Sequence, residues 1–443
     1  MFTDFTYQDW QSCTDRTGLM LKAIERYKGS AAFLGALEAS SYFRGENTAV
    51  SRKTILRAGK LETRDAAGRR RVRPTTRDVV GHRIPSGFLF RFVTQQNQYL
   101  LSEGVDLPGP VKRRLGADFD QQLELLGEHA LLHGAAWGYW NADHLEVIEA
   151  AKNPYSGFLA LLDELTGEPM VGVQFWQVSP QRPMYVRLFE LDGVSLLRVA
   201  GDHADVVQDK RPYLLYALGD QLTGQANYDA LPVIPLFANN ARRSELTPAI
   251  KQKIDAYDNI LSDFADNLDR ANDVYWVLNN FAGTTDDVAE LLEQINRIKA
   301  VANLSDGSGA AATAEPRTIE VPYAARQAAL HLLERALYQD FMALDMDALT
   351  GSSLTNVAIH TAMANLNLKA DRYEWQVRQF VAKLLRLIGA PTDDIRFKRQ
   401  AIANESETVA DIAVMRADIG RRTALRLNPY IQTEEIEGVL AEE

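Results

Sequence analysis

Cys13 is the one cysteine in the chain, so no internal disulfide can form and the fold must hold by packing, as suits assembly in a reducing compartment. No stretch approaches the roughly 18 consecutive apolar residues of a membrane-crossing helix, and no membrane association is expected. The opening Met1-Phe2-Thr3-Asp4-Phe5 lacks a basic segment followed by an apolar run, so no secretory signal is expected. Cations are in deficit. Lys and Arg number 48 against 59 Asp and Glu, a net charge of −11. That balance argues against simple electrostatic wrapping of nucleic acid, but not against a role in which DNA must pass without sticking. Enzymatic signatures are also missing: there is no P-loop, no GxGxxG after a strand and no GxSxG elbow.

What is present is ordinary globular composition over 443 residues, enough for two or more domains, with 46% hydrophobic and 24% charged residues. The first 60 or so residues read as helical, with helices expected over 15–27 and 34–43. A basic, turn-rich run follows at 57–83, carrying Arg64, Arg69, Arg70, Arg71, Arg73, Arg77 and Arg83. Without aromatic residues to stack on bases, it reads as a solvated loop or hairpin with Gly68 at its tip rather than a nucleic-acid contact. Helices are expected over 86–101 and 118–134. The second holds His129 and His133 at i, i+4, a spacing that can place two imidazoles on one metal. Ala130 stands where a zincin needs Glu, and no third ligand lies nearby in sequence, so a structural pair is expected and no metal is assigned.

From Trp137 to about Leu218 the pattern changes to β-branched and aromatic runs at 171–178, 184–191, 194–200 and 213–218. Asp192-Gly193 is a two-residue hairpin signal and Leu165-Thr166-Gly167-Glu168 another turn, so a meandering antiparallel sheet is expected. Residues 219–228 read as a loop, and Leu231–Leu236 as extended because of its prolines.

A helical hairpin organises the rest. In its first arm, 247–272, Ile250, Ile254, Tyr257, Leu261, Phe264 and Leu268 form one apolar seam, opened by Thr247-Pro248 as N-cap and first helical residue. The second arm covers 322–344. After a turn at 345–353 a third helix covers 354–388, until Gly389-Ala390-Pro391 breaks the chain. A long helix with a narrow seam must pack along a partner: the second arm, a neighbouring subunit or both. Between the arms lies a small module, with strands at 274–278 and 318–321, a helix at 286–300 and a loop at 305–316. A strand at 394–402 and a helix at 406–420 close the chain, so the expected class is α+β.

The succession Leu231-Pro232-Val233-Ile234-Pro235, Asn239-Asn240, Ile254-Asp255-Ala256-Tyr257-Asp258, Asn267-Leu268 and Asp273-Val274-Tyr275-Trp276-Val277-Leu278 resembles the portal proteins of long-tailed bacteriophages. Leu349-Thr350-Gly351-Ser352-Ser353 before a long helix resembles their tunnel loop, and Asp163-Glu164-Leu165-Thr166-Gly167 a turn in their β-rich wing. Specificity comes from the order of these short matches, which runs from about Tyr139 onward. The resemblance implies the portal fold: a wing at 1–244, with its antiparallel β part at about 137–236, and a two-helix stem at 245–272 and 322–344. It further implies a small α/β clip at 273–321, a tunnel loop at 345–353, a long helix and return strand at 354–402, and a short helical crown at 403–443.

It also implies a ring, usually of about twelve copies, at one capsid vertex. Double-stranded DNA would pass through its channel. Its partners would be terminase, a head-completion or adaptor protein, and the major capsid and scaffolding proteins. The expected location is the virion, after assembly in the host bacterial cytoplasm. No catalytic residue, cofactor or metal is implied. Asp345, Asp347, Thr350, Gly351, Ser352 and Ser353 would form the tunnel loop facing DNA. Tyr275, Trp276 and Phe281 are the aromatic candidates for contacts of the clip, set against burial in its own small core.

Charge fits a channel that must not bind DNA. Residues 245–272 carry Lys251, Lys253 and Arg270 against Glu245, Asp255, Asp258, Asp263, Asp266 and Asp269, a net of −3. The competing reading is an ordinary solvated helix face. On the third helix, Lys369, Arg372, Arg378, Lys383 and Arg386 either pair across subunits or face solvent. Two other classes remain. In a metal-dependent hydrolase, Asp163, Glu164 and Asp192 would hold the ion, although turn signals already explain two of them. An oligomeric scaffold would need no axial hole.

Overall fold

The computed structural model describes residues 4–51, 53–64, 70–201, 203–218, 221–271, 275–279, 313–317, 323–346, 356–399, 405–415, 419–428 and 440. Two compact units divide the chain. The first comprises Met1–Arg44, Gly87–Ile250 and Tyr338–Glu443; the second comprises Gly45–Ser86 and Lys251–Leu337.

In the first unit, strict two-residue alternation builds a layered core. Six strands, β6 (Ala151–Asn153), β7 (Ser156–Leu162), β8 (Pro169–Trp176), β9 (Met184–Glu190), β10 (Gly193–Ala200) and β11 (His203–Arg211), pair antiparallel in sequence order. This is the expected meander. The Asp192-Gly193 turn holds Glu190 opposite Gly193. Asp163 caps its own turn by accepting from the backbone of Leu165 and Thr166 at 3.1 and 2.8 Å. One face of the sheet presents Leu159, Leu161, Val171, Val173, Phe175, Val186 and Leu188. Helices α1 (Tyr7–Ser12), α2 (Arg16–Lys28) and α3 (Ala31–Phe43) cover it with Trp10, Ile24, Tyr27 and Phe33. The opposite face presents Phe158, Ala160 and Phe189 to Trp137, Tyr139 and Val233. These come from a smaller sheet ordered β14 (Val233–Phe237), β4 (Ala135–Asn141), β5 (His144–Ile148). Burial on both faces explains why β7 reads as a near-continuous apolar run.

Helices α5 (Phe88–Leu101), α6 (Gly109–Arg114) and α7 (Phe119–His133) precede the sheets, with α7 closed by Gly134 at φ +85°. In the same unit lies the longest helix, α10 (Asn356–Leu387), 32 residues and about 48 Å. Its buried face alternates steps of four and three: Ile359, Met363, Leu366, Ala370, Tyr373, Val377, Phe380 and Leu384. Gly138 on β4 admits it, since a Cβ there would lie 2.7 Å from the Phe380 ring.

The second unit holds α4 (Thr48–Ser51) and a hairpin of β1 (Thr54–Arg64) and β2 (Arg70–Val80) in continuous antiparallel register. The basic run is thus a hairpin, and its expected tip, Gly68, lies outside the described residues. Helix α8 (Pro248–Ala271) begins at the proline expected, and Thr247 caps it by accepting from Ile250 N–H at 3.3 Å. Helix α9 (Tyr323–Phe341) follows the small module.

Four expectations change. Residues 219–228 are not all loop. Strand β13 (Gln221–Ala226) pairs with β12 (Leu214–Leu218), because hairpin pairing can form on backbone hydrogen bonds without apolar alternation. The strand that pairs with β15 (Tyr275–Asn279) is β16 (Thr313–Arg317), which begins within the stretch read as loop, 305–316, and ends one residue beyond it; 318–321 and the helix expected at 286–300 lie outside the described residues. Of the strand expected at 394–402, residues 394–399 are described and form β17 (Arg396–Phe397), paired with β3 (Val105–Asp106); 400–402 lie outside the described residues. The helix expected at 406–420 is α11 (Glu405–Met415), and a second one, α12 (Arg421–Leu427), follows Gly420.

Candidate functional site

The acidic face of α8 is where burial departs from the sequence pattern. Ile250 and Ile254 are buried as the seam requires, but Tyr257, Leu261 and Phe264 are half-buried and Leu268 is 48% exposed. The buried positions beyond Ile254 are instead Asp258, Ser262 and Asp266, each one turn after the last. They receive the chain between β2 and α5. Asp258 accepts from Ser86 N–H at 2.9 Å, Ser262 Oγ from Ile84 N–H at 3.1 Å, and Asp266 from His82 N–H at 2.8 Å. The geometry explains the match. Four helical residues rise about 6 Å, and two extended residues about 6.7 Å, so alternate N–H groups of a strap meet successive turns of a helix. Pro85 holds Ile84 extended and itself has no N–H to leave unsatisfied.

Side chains complete the strap. Asn47 Nδ2 donates to Asp258, and His82 Nδ1 lies 2.8 Å from Asp266. Burial raises the Asp258 carboxyl above its usual range, against the lowering pull of Asn47 and Ser86. Burial also acts to raise Asp266, but the hydrogen bonds and charge of His82 outweigh it and hold that carboxyl below its usual range. Lys251 pairs with Asp255 at 2.8 Å and Lys53 with Asp263 at 2.7 Å. This corrects the picture of six carboxylates on a solvated or channel-facing surface. Two are buried under the strap, and three more, Glu245, Asp255 and Asp263, are paired with lysines.

In the first unit, α9 ends in a Schellman motif: Ala343 N–H donates to Tyr338 C=O at 3.0 Å and Met342 N–H to Gln339 C=O at 3.1 Å. Met342 takes the left-handed position, φ +60°, that glycine usually fills. The Gln95 side chain then accepts from Leu344 N–H at 2.9 Å and donates to Leu344 C=O at 3.0 Å, fixing the chain one residue before Asp345. Asp345 is half-buried; Asp347, Thr350, Gly351, Ser352 and Ser353 lie outside the described residues. Of the three aromatics of the small module, Tyr275 and Trp276 lie on β15 opposite Arg317 and Pro316, and Phe281 is outside the described residues.

Of the five cations of α10 read as either pairing across subunits or facing solvent, Lys369, Arg378 and Lys383 find partners within the chain. Lys369 lies 2.8 Å from Glu245, donates to Phe341 C=O at 2.8 Å and sits over the Phe341 ring. Burial pushes its ammonium down to about 8, against the pull of Glu245. Arg378 binds Glu374 and Lys383 binds Glu168. Asp163 is used by its turn and Asp192 pairs with Lys210 at 2.8 Å, so neither is aimed at a common ion. The i, i+4 histidines do acquire a neighbour that spacing did not reveal: Glu149, with His129 Nδ1 3.9 Å from its carboxylate.

The described residues thus combine long helices whose apolar stripes are half covered with an antiparallel β-meander. Residues 36–443 match the family model described as "Phage portal protein, SPP1 Gp6-like". The chain belongs to this portal protein family. Among curated relatives, the portal protein of Clostridium phage phiCD119 is 24% identical over 347 residues, covering 74% of this chain and 76% of that protein. The portal protein of Bacillus phage SPP1 is 26% identical over 417 residues, 86% and 78% respectively. The portal resemblance seen in the sequence therefore holds across most of the chain, and the α+β class holds with it. No helix among the described residues is long and apolar enough to cross a membrane.

Proposed function

We propose that copies of this chain form a ring of about twelve at one capsid vertex, through whose axis double-stranded DNA enters during packaging and leaves on ejection. Terminase docks on the ring during packaging and head-completion proteins afterwards, while capsid and scaffolding proteins surround it. The observation that carries this reading is the family match over 36–443. Within it, residues 1–244 are the wing, α8 and α9 the stem, 273–321 the clip, 345–353 the tunnel loop, α10 with β17 the return to the wing, and 403–443 the crown.

The unspent apolar surface supports a partner along these helices. Leu268 on α8 and Leu332 on α9 are exposed, as are Val357, Leu368 and Trp375 on α10. The chain performs no covalent chemistry in this role. Its work is to pass a polyanion, which is easier where few free cations line the path. Negative-stain electron microscopy with a mass measurement on the same sample tests the proposal. A ring of about twelve subunits with an axial hole wide enough for duplex DNA is expected. A species that stays monomeric or dimeric at high concentration would remove the channel and favour a scaffold.

A further inference from the structure

We propose that His129, His133 and Glu149 bind one divalent transition-metal ion of the zinc type, stapling α7 to the turn between β5 and β6. Their donor atoms all lie within 4.8 Å of one another. Ser40 Oγ lies 3.0 Å from Ala36 C=O and 2.8 Å from His133 Nε2, and its one proton cannot serve both. With that proton given to Ala36, Ser40 accepts from His133 Nε2–H, and the Nδ1 of His133 is left as a bare lone pair free for a metal. That nitrogen is buried without a hydrogen-bond partner, in a residue only 2% exposed. His129 Nδ1 is likewise buried without a partner. A buried, unsatisfied acceptor costs free energy that nothing in the surrounding packing returns, and a cation bridging the two nitrogens would return it.

The donor chemistry selects the ion. Two imidazoles and one carboxylate suit zinc, cobalt or nickel, whereas magnesium and calcium require oxygen. Ser40 supplies the outer hydrogen bond that ligating histidines usually have, fixing ring orientation from behind. Tetrahedral ligation brings donors to about 3.3 Å of one another, so the three must close by up to about 1.5 Å. Glu149 is the mobile party. Among the described residues its ion pairs are with Lys152 at 3.5 Å and with His129 itself at 3.9 Å, and Lys152 is 68% exposed, which leaves this side open to an incoming ion.

The test uses the full-length, tag-free chain, dialysed against chelator. Titration with Co²⁺ is expected to give visible bands of low-coordinate cobalt saturating at one ion per chain, and Zn²⁺ to displace them and raise the melting temperature, while Mg²⁺ does neither. His129→Gln and Glu149→Gln, both at partly exposed positions, should each weaken binding about tenfold or more, and Ser40→Ala about tenfold. Lys152→Gln should tighten it by freeing Glu149. Zinc-edge X-ray absorption on the unaltered protein gives a readout independent of any variant, and a first shell of two imidazoles is expected. The proposal is overturned if that shell holds no histidine, or if Gln at 129 or 149 leaves binding unchanged.

Discussion

Two carboxylates on one face of α8, two turns apart, are shifted in opposite directions from the ordinary carboxylate range. Asp258 has its carboxyl raised by burial, so its ionised form is a cost at neutral pH that is relieved as pH falls through the folded value. Asp266 is depressed by His82, so it contributes stability above the ordinary carboxylate range and loses it as pH falls through the folded value. Asp258→Asn is expected to leave stability at pH 7 unchanged or slightly higher. Asn47 Oδ1 is buried without a partner and can accept from the new amide once the Asn47 side chain turns over. Asp266→Asn is expected to cost about 1 kcal/mol at pH 7 and much less at pH 3–4. Thermal melts of both variants across this range check the pair of signs.

Lys369 gives a third case. Lys369→Met strands Glu245 in a largely buried site and should cost about 3 kcal/mol, most of it recovered by adding Glu245→Gln. Since the folded ammonium titrates near 8 and the free one at 10.5, the wild-type protein alone should gain stability as pH rises between these values.

Elements differ in how plainly the sequence announces them. Helix α10 and strands β8 to β10 repeat their apolar positions often enough for the period to be read, and α8 begins at its Thr-Pro signal. Helix α1 spans 6 residues, too few for a period, and β13, Gln-Leu-Thr-Gly-Gln-Ala, has one large apolar side chain, Leu222, too little to announce a strand beside its glycine. The strap was illegible for another reason. Asp258 and Asp266 look in sequence like any solvated acidic residue, and only the fold brings His82 and Ser86 to them. Glu149 reaches His129 in the same way, since the sequence gives no sign that the end of β5 lies beside α7.

The α9 terminus shows a local rule broken with a measurable consequence. Its Schellman motif places Met342 in the left-handed region, which costs a residue with a Cβ roughly 1 kcal/mol. Met342→Gly should remove that strain. The gain is reduced by the greater freedom of glycine in the unfolded chain, leaving a net rise in stability of at most about 1 kcal/mol. Gln95→Ala should act oppositely, orphaning Leu344 N–H and C=O and loosening the chain before Asp345, visible as faster amide exchange at Leu344.

At the scale of the whole molecule, the ring and the channel are separable, and two substitutions separate them. Leu268 ends the apolar seam of α8 and is 48% exposed in the single chain, which leaves half of its surface for a neighbouring subunit in an assembled ring. Leu268→Asp should lower the melting temperature of the monomer only slightly, because little internal packing is lost, while the mass distribution shifts from rings to free chains. Gly351 belongs to the loop proposed to face DNA, and a β-branched residue there would narrow the φ range that glycine allows. Gly351→Val should therefore leave ring formation intact and lower the DNA packaged per particle. If Leu268→Asp rings assemble normally, the seam faces no subunit. If Gly351→Val rings package normally, the loop has no part in transit. A defect of each variant only in its own assay would place assembly on the long helices and transit on the loop that follows them.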